Sequence, residues 1–313
     1  MSSPPVVITG ATGFIGAAVV NQLLEAGRSV IALVRPATDR TRLPEHDDLQ
    51  VVEYEQLDAV ELADELRVLA PSAFLHLGWA GVEGAARRQV DQAGINVPVT
   101  IASVELASAA GCLRWVGVGS QAEYGSRFDA VREDALLRPD SSYGRAKVKA
   151  WAAAQDAAQM YGLSHAWARV FSVFGPGDHS SAVVPYTINA LLSGRTPTLG
   201  AGLHDWDLLY VDDAAAALIA LVDSAANGPF NIAAGTARPL RDVIQLIDGI
   251  VGGEVHPVYD EAPSTPVAPL LADITRIRAE AGWMPTTTLE DGISRTVSAM
   301  RESLITPLTG GEA

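Results

Sequence analysis

The chain has 313 residues, 48% hydrophobic and 19% charged, which is enough for one large domain or two modest ones and too apolar for a disordered chain. Its formal charge of −15 repels phosphate backbones and anionic lipid heads, so nucleic acid and membrane surfaces are not expected as partners. The single cysteine, Cys112, rules out an intramolecular disulfide and a cysteine-based zinc site. No basic, apolar leader occurs in Met1-Ser2-Ser3-Pro4-Pro5, and a cytoplasmic protein is the expectation.

Short apolar runs alternate with amphipathic stretches through the first half. Strand-like runs occur at 6–8, 30–34, 51–52, 73–77, 115–118 and 165–171, with helical patterns near 14–26, 59–70, 87–110 and 141–161. This alternation predicts an α/β fold, a Rossmann-type doubly wound parallel sheet. Cys112 reads as a small buried hydrophobe at the start of a strand. The second half is punctuated by Gly and Pro, with helices predicted near 182–193, 212–225, 239–251, 274–281 and 289–303. The expected division is a dinucleotide-binding domain over 1–171 and, over 172–308, a smaller substrate-binding lobe with segments returning to the first. Residues 309–313 read as a frayed tail.

The segment Val6-Val7-Ile8-Thr9-Gly10-Ala11-Thr12-Gly13-Phe14-Ile15-Gly16 places Gly10, Gly13 and Gly16 directly after a strand and at the opening of a helix. In that context Gly10 permits a tight turn, Gly13 lets the backbone approach a pyrophosphate, and Gly16 lets helix and sheet pack closely. The N–H groups of the helix N-terminus then face the phosphates. The second strand ends Leu33-Val34-Arg35, with Arg40 and Arg42 nearby, where an acidic residue would select NAD. A guanidinium there suits a 2′-phosphate, so NADP is favoured over NAD.

After the strand at 115–118 come Gly119-Ser120-Gln121-Ala122-Glu123-Tyr124-Gly125 and then Ser141-Ser142-Tyr143-Gly144-Arg145-Ala146-Lys147. Tyr143 and Lys147 are spaced i, i+4, so both lie on one face of a helix. Moving a proton to or from a carbonyl or alcohol oxygen needs an acid/base poised near neutrality. A free phenol titrates near pH ~10, and an ammonium one turn away is expected to lower that value. Ser120, at the carboxyl end of a strand, can donate a hydrogen bond to the substrate oxygen. Lys147 and Lys149 are the only lysines in the chain.

Together these segments make the chain resemble the extended short-chain dehydrogenase/reductase family of nucleotide-sugar epimerases, dehydratases and reductases. Further matching stretches are His76-Leu77-Gly78-Trp79, Ile95-Asn96-Val97, Arg169 to Gly177, Tyr210-Val211-Asp212-Asp213, Phe230-Asn231-Ile232-Ala233 and Ala281 to Pro285. The resemblance implies that Ser120, Tyr143 and Lys147 are catalytic. It implies cofactor contacts from Gly10, Thr12, Gly13, Phe14, Ile15, Gly16, Arg35, Leu77, Gly78, Tyr143 and Lys147. Asn96 would brace the active-site helix. A homodimer is implied too, formed through the two long helices before and at the tyrosine, where Ala102, Ala107, Ala109, Ala150, Ala152, Ala153 and Ala154 permit close contact.

Departures from the family pattern narrow the expected chemistry. The 4,6-dehydratases carry an Asp-Glu pair after the catalytic hydroxyl residue; Gln121 and Ala122 stand there, and neither can eliminate water. Many relatives place an arginine for the substrate diphosphate where Trp206 stands, and Arg195 or Arg238 could substitute. Ser-Gln-Ala-Glu-Tyr-Gly combined with Trp206-Asp207 and Ser172 looks most like reductases that make 6-deoxysugars from 4-keto nucleotide sugars. The expected activity is thus an NADPH-dependent 4-ketoreductase, with substrate contacts from Ser120, Gln121, Ser172, Arg195 and Trp206. A nucleotide-sugar 4-epimerase is the alternative, and a non-catalytic NADP-sensing protein a remoter one, against which the intact Ser–Tyr–Lys set argues. His76 reads as a core histidine, His179 and His204 as loop residues, Asp212-Asp213 as a helix cap, and Trp79 and Trp206 as packing or sugar-pocket residues. No side-chain spacing suits a metal.

Overall fold

A computed structural model describes residues 3–82, 87, 91–127, 129–260 and 271–305. The chain opens with β1 (Val6–Thr9), α1 (Phe14–Glu25), β2 (Val30–Val34), β3 (Leu49–Glu53), α2 (Val60–Leu69), β4 (Ala73–His76), α3 (Gln92–Ala109) and β5 (Arg114–Ser120). A single 3₁₀ turn, Gln121–Glu123, leads on to α4 (Ser142–Met160), β6 (Ser164–Val170), β7 (Ser172–Phe174), α5 (Val183–Leu192), β8 (Thr198–Gly200) and β9 (Asp205–Trp206). Then come β10 (Leu208–Tyr210), α6 (Val211–Asp223), β11 (Gly228–Ile232), β12 (Arg238–Pro239), α7 (Leu240–Val251), β13 (Val258–Asp260), α8 (Thr275–Ala281) and α9 (Leu289–Ile305).

Seven strands form one sheet in the order β11-β6-β5-β4-β1-β2-β3. Every neighbouring pair is parallel, from Val6 opposite Val30 and Ala73 through to Phe230 opposite Ala168. Helices cover both faces, which is why β1, β2 and β4 are buried along their whole length. On one face α1 and α6 pack together over Val19, Val20, Leu218 and Leu221; on the other, α3 and α4 pack over Trp115, Ala150 and Ala154. The order reverses at β1 and β4, and the carboxyl ends of these strands are where such sheets bind ligands.

The second half does not stay apart from the sheet. Strand β11 adds to its edge and α6 to its face. A further core gathers Phe174, Ile188, Tyr210, Val243, Ile244 and Ile293 from α5, α7, α9 and the short strands between them. The helix expected over 87–110 is described from Gln92, and its predicted first turns at 88–90 lie outside the described residues, as do 309–313. No helix of the described residues is long and apolar enough to cross a membrane.

Two expected roles change. Asn96 does not brace α4; its amide accepts from Ala80 N at 2.7 Å and donates to Ala80 O at 3.1 Å, so it fastens the connection after β4. Asp212 and Asp213 sit in the first turn of α6 and do not cap it, since Tyr210 is the cap residue. Asp213 instead accepts from Thr286 N at 3.0 Å and Thr287 N at 2.9 Å, tying α6 to the segment before α9.

Candidate active site

Three turns meet at the carboxyl end of the sheet. The first joins β1 to α1. Gly10 has φ +71°, and a Cβ there would lie 2.9 Å from Gly78 N and from the Leu77 carbonyl carbon. A Cβ on Gly16 would lie 2.0 Å from Gly10 O, so helix and turn touch through backbone alone. Gly13 precedes α1 and no side chain caps the helix, which leaves first-turn N–H groups around Phe14 and Ile15 facing outward as an anion cradle. Thr12 is half-buried in the same turn. Leu77 N donates to Thr9 O at 3.1 Å and Gly78 N to Thr9 Oγ1 at 3.3 Å, so Leu77 and Gly78 run beside this turn. A backbone cradle with close-approach glycines and an uncapped helix start fits a dinucleotide pyrophosphate.

The second turn follows β2. Arg35 is exposed at the strand end; its carbonyl accepts from Thr38 N at 3.2 Å, and its guanidinium takes part in none of the described hydrogen bonds or ion pairs. Arg40 is engaged by Glu53, and Arg42 donates to Gly177 O at 2.8 Å. Of the three arginines, Arg35 is the one whose guanidinium has no described hydrogen bond or ion pair.

The third turn follows β5 and faces α4. Ser141 caps α4 by accepting from Gly144 N at 3.0 Å, which starts the helix one residue before Tyr143 and turns Tyr143 and Lys147 inward together. The Ser120 hydroxyl lies near enough to the Tyr143 phenol to pull its pKa down. Ser120 Oγ also accepts from Ala122 N at 3.2 Å. Lys147 Nζ donates to Val118 O at 2.7 Å and stands 3.5 Å over the Trp79 ring and 5.8 Å from the Tyr143 ring. Trp79 meets Tyr143 edge-on, and the Arg87 guanidinium lies 4.4 Å from the centre of the Tyr143 ring.

The electrostatics differ from expectation. Burial drives the Tyr143 phenol above its ordinary value; Arg87 and the Ser120 hydrogen bond pull it down and Glu123 pushes it up. Burial also brings Lys147 down to about 7, opposed by Glu123 and assisted by Arg87. His76 is buried, pairs with Thr9 Oγ1 at 2.8 Å, and is brought to about 3 by burial and by Lys147, so it is a neutral core histidine. Cys112 is buried just before β5, its thiol pushed up to about 12.

Ser172 and Trp206 come together, the indole Nε1 donating to Ser172 Oγ. Gln121 begins the 3₁₀ turn beside Ser120. Arg195 is not brought to this cluster by any described contact; it is exposed beyond the carboxyl end of α5. Arg238 pairs with Trp206 across β12 and β9 but is bound at 2.6 Å to Glu290. His204 packs 5.1 Å from the Trp206 ring, and His179 is exposed beside Ser181. Among the described residues no group of three His, Cys, Asp or Glu could hold a metal ion. The sequence reading passed over Arg87, Glu123 and Arg169 as site residues. The Glu in Ser-Gln-Ala-Glu-Tyr-Gly could have signalled the second, since a carboxylate so close to a buried strand end must find a partner.

Comparison with known proteins agrees with this geometry. The chain is 29% identical over 310 residues to a UDP-glucose 4-epimerase of Mycolicibacterium smegmatis, covering 94% of this chain and 98% of that one. It is 24% identical over 310 residues to a dTDP-4-dehydro-6-deoxyglucose reductase of Escherichia coli, covering 95% and 97%. The structure of MoeE5 in complex with UDP-glucuronic acid and NAD superposes with a TM-score of 0.83 at 28% identity, covering 96% of this chain and 99% of that one. Residues 6–233 match the description of a single family, and with the glycine turn and the Ser120–Tyr143–Lys147 cluster in place the chain belongs to the NAD-dependent epimerase/dehydratase family.

Proposed function

We propose that this protein reduces the C4 carbonyl of a 4-keto-6-deoxyhexose nucleotide with NADPH. The observation that carries this reading is the placement of Tyr143, buried on the inner face of α4 together with Lys147 and beside Ser120. Its buried phenol, raised above its ordinary value and faced by the Ser120 hydroxyl, is held protonated near neutral pH and loaded to give a proton. Gln121 and Ala122 supply no acid/base pair, which speaks against loss of water.

The cofactor fits the chain as follows. The turn at Gly10, Thr12, Gly13, Phe14, Ile15 and Gly16 would hold the pyrophosphate, Leu77 and Gly78 would line the adjoining wall, and Arg35 would meet a 2′-phosphate. Bound there, a reduced nicotinamide would supply the hydride. Tyr143 then gives its proton to the substrate oxygen, Ser120 orients that oxygen by hydrogen bonding, and the Lys147 ammonium favours the phenolate that remains. Ser172 and Trp206, joined to each other, form part of the sugar wall.

A second reading, a nucleotide-sugar 4-epimerase, is favoured by the 29% identity to a UDP-glucose 4-epimerase over nearly the whole chain. Cofactor stoichiometry separates the two. NADPH absorbance is followed with a 4-keto-6-deoxyglucose nucleotide and, in parallel, UDP-glucose is checked for conversion to its C4 epimer. One NADPH consumed per alcohol formed supports the reductase. Interconversion of the epimers with no net change in absorbance replaces it with the epimerase.

A further inference from the structure

Beneath the Ser120–Tyr143–Lys147 cluster lies a buried ion pair that the proposed reaction does not use. Glu123 has no exposed surface, and Arg169 is 2% exposed. Glu123 Oε1 accepts from Ser120 N at 2.9 Å and from Trp167 Nε1 at 2.8 Å, while Oε2 accepts from Arg169 Nε at 2.7 Å. Arg169 Nη1 donates away from the site, to Tyr124 Oη at 2.9 Å and Glu133 O at 3.0 Å. The pair is therefore oriented, carboxylate toward the cluster and guanidinium away from it. The backbone makes room for this arrangement. A Cβ on Gly119 would lie 2.2 Å from Trp167 Nε1 and 2.4 Å from Glu123 Oε1.

Lys147 needs such a neighbour. Its ammonium is buried against Val118 O and the faces of Trp79 and Trp167, and carbonyl and ring contacts alone do not restore the hydration it loses. The charged and titratable groups facing it are Tyr143 on its own helix, His76 from β4, Arg87 from the connection after β4, and Glu123 from the 3₁₀ turn. Tyr143 and His76 are neutral and Arg87 is cationic, so Glu123 is the anion of this set. Glu123 also completes a capping box: it takes the Ser120 N–H while Ser120 Oγ takes Ala122 N. The accepted Ala122 N–H bond fixes the Ser120 rotamer and leaves the hydroxyl hydrogen free to point toward Tyr143.

We propose that Glu123, held in place by Arg169, is a positioning residue whose carboxylate keeps the buried Lys147 ammonium charged and fixes Ser120 with its hydroxyl toward Tyr143. This rests on the Ser120–Tyr143–Lys147 reading of the site, but its test does not need the substrate. The chain has two lysines, so protein labelled with [13Cε]lysine gives two side-chain resonances, Lys147 and the exposed Lys149 as internal reference. In Glu123→Gln the Lys147 titration midpoint should fall by about one pH unit, with Lys149 unmoved. The double variant Glu123→Gln/Arg169→Met removes both buried charges at similar volume, which folded proteins tolerate better than a lone buried charge, and should show the same fall. An unmoved Lys147 midpoint in either folded variant overturns the proposal. The second readout is the alkaline limb of kcat/KM, which should move to lower pH with the lysine. A loss of rate equal at every pH would mean that Glu123 is structural only, and overturns it too. A moved lysine resonance in a protein inactive on keto sugars would leave this proposal standing and remove the reductase reading alone.

Discussion

Tyr143 and its neighbours set the demands at the scale of single residues. A phenol buried among Trp79, Arg87 and Lys147 is a weak acid, and in the proposed reaction its proton is the one within reach of a developing alkoxide. Tyr143→Phe removes that proton and leaves the ring packing. It should lower kcat by about 10²–10⁴-fold with little change in dinucleotide affinity, read by NADPH turnover beside fluorescence titration. Arg35 has a narrower task. Charge-assisted bonds to a phosphate contribute about 1.5–3 kcal/mol, so Arg35→Ala should weaken NADPH binding by roughly 10- to 100-fold and leave NADH binding nearly unchanged. Equal weakening of both would remove the NADP preference. His76 makes the folded state sensitive to acid. Below pH 6.5 the unfolded chain takes up a proton at this ring that the folded chain refuses until about 3. Stability therefore falls as pH drops through that window, with a slope of ~1.4 kcal/mol per pH unit from this group. Urea unfolding at pH 7.5 and pH 5 should show the loss, and His76→Gln should flatten it.

At the scale of elements, the turn between β1 and α1 combines two contacts that tolerate no side chain. Gly16→Ala would set a methyl 2.0 Å from Gly10 O, and neither backbone can yield without displacing α1 from the sheet. The expected result is a stability loss of about 1–3 kcal/mol together with loss of dinucleotide binding, read by thermal melting with and without NADPH. The α3–α4 pair was legible as two helices from its periodicity, and Tyr143–Lys147 as one face of α4 from the i, i+4 spacing. The task of Asn96 was not, because the partner of a side-chain amide depends on which loop lies beside it. The connection after β4 lies there, and Asn96 closes it through Ala80.

At the scale of the molecule, α3 and α4 present an inner face of alanines, and α3 also an outer apolar face. Ala107, Ala150 and Ala154 are wholly buried inside the chain, where they let the two helices pack on the sheet. Ile95 and Val99, one turn apart on α3, are 45% and 39% exposed. We propose that this outer face of α3 pairs with a second copy of the chain. Light scattering should give twice the mass of one chain, and Ile95→Asp with Val99→Asp should halve it. A monomer before substitution would end the proposal.

The sequence by itself determined the alternation of strands and helices, the glycine turn, and the Ser120–Tyr143–Lys147 set, because each is written in local spacing: a period, a tight turn, one helix face. The tertiary structure decided what these groups experience. It turned Lys147 toward Val118 O and Trp79, and it left the Tyr143 phenol raised by burial where the sequence alone suggested that the lysine would lower it. It also joined Glu123 to Arg169, 46 positions apart in the chain. Charge state follows from desolvation and from the nearest opposite charge, and both are set by segments remote in sequence that only the folded sheet brings together.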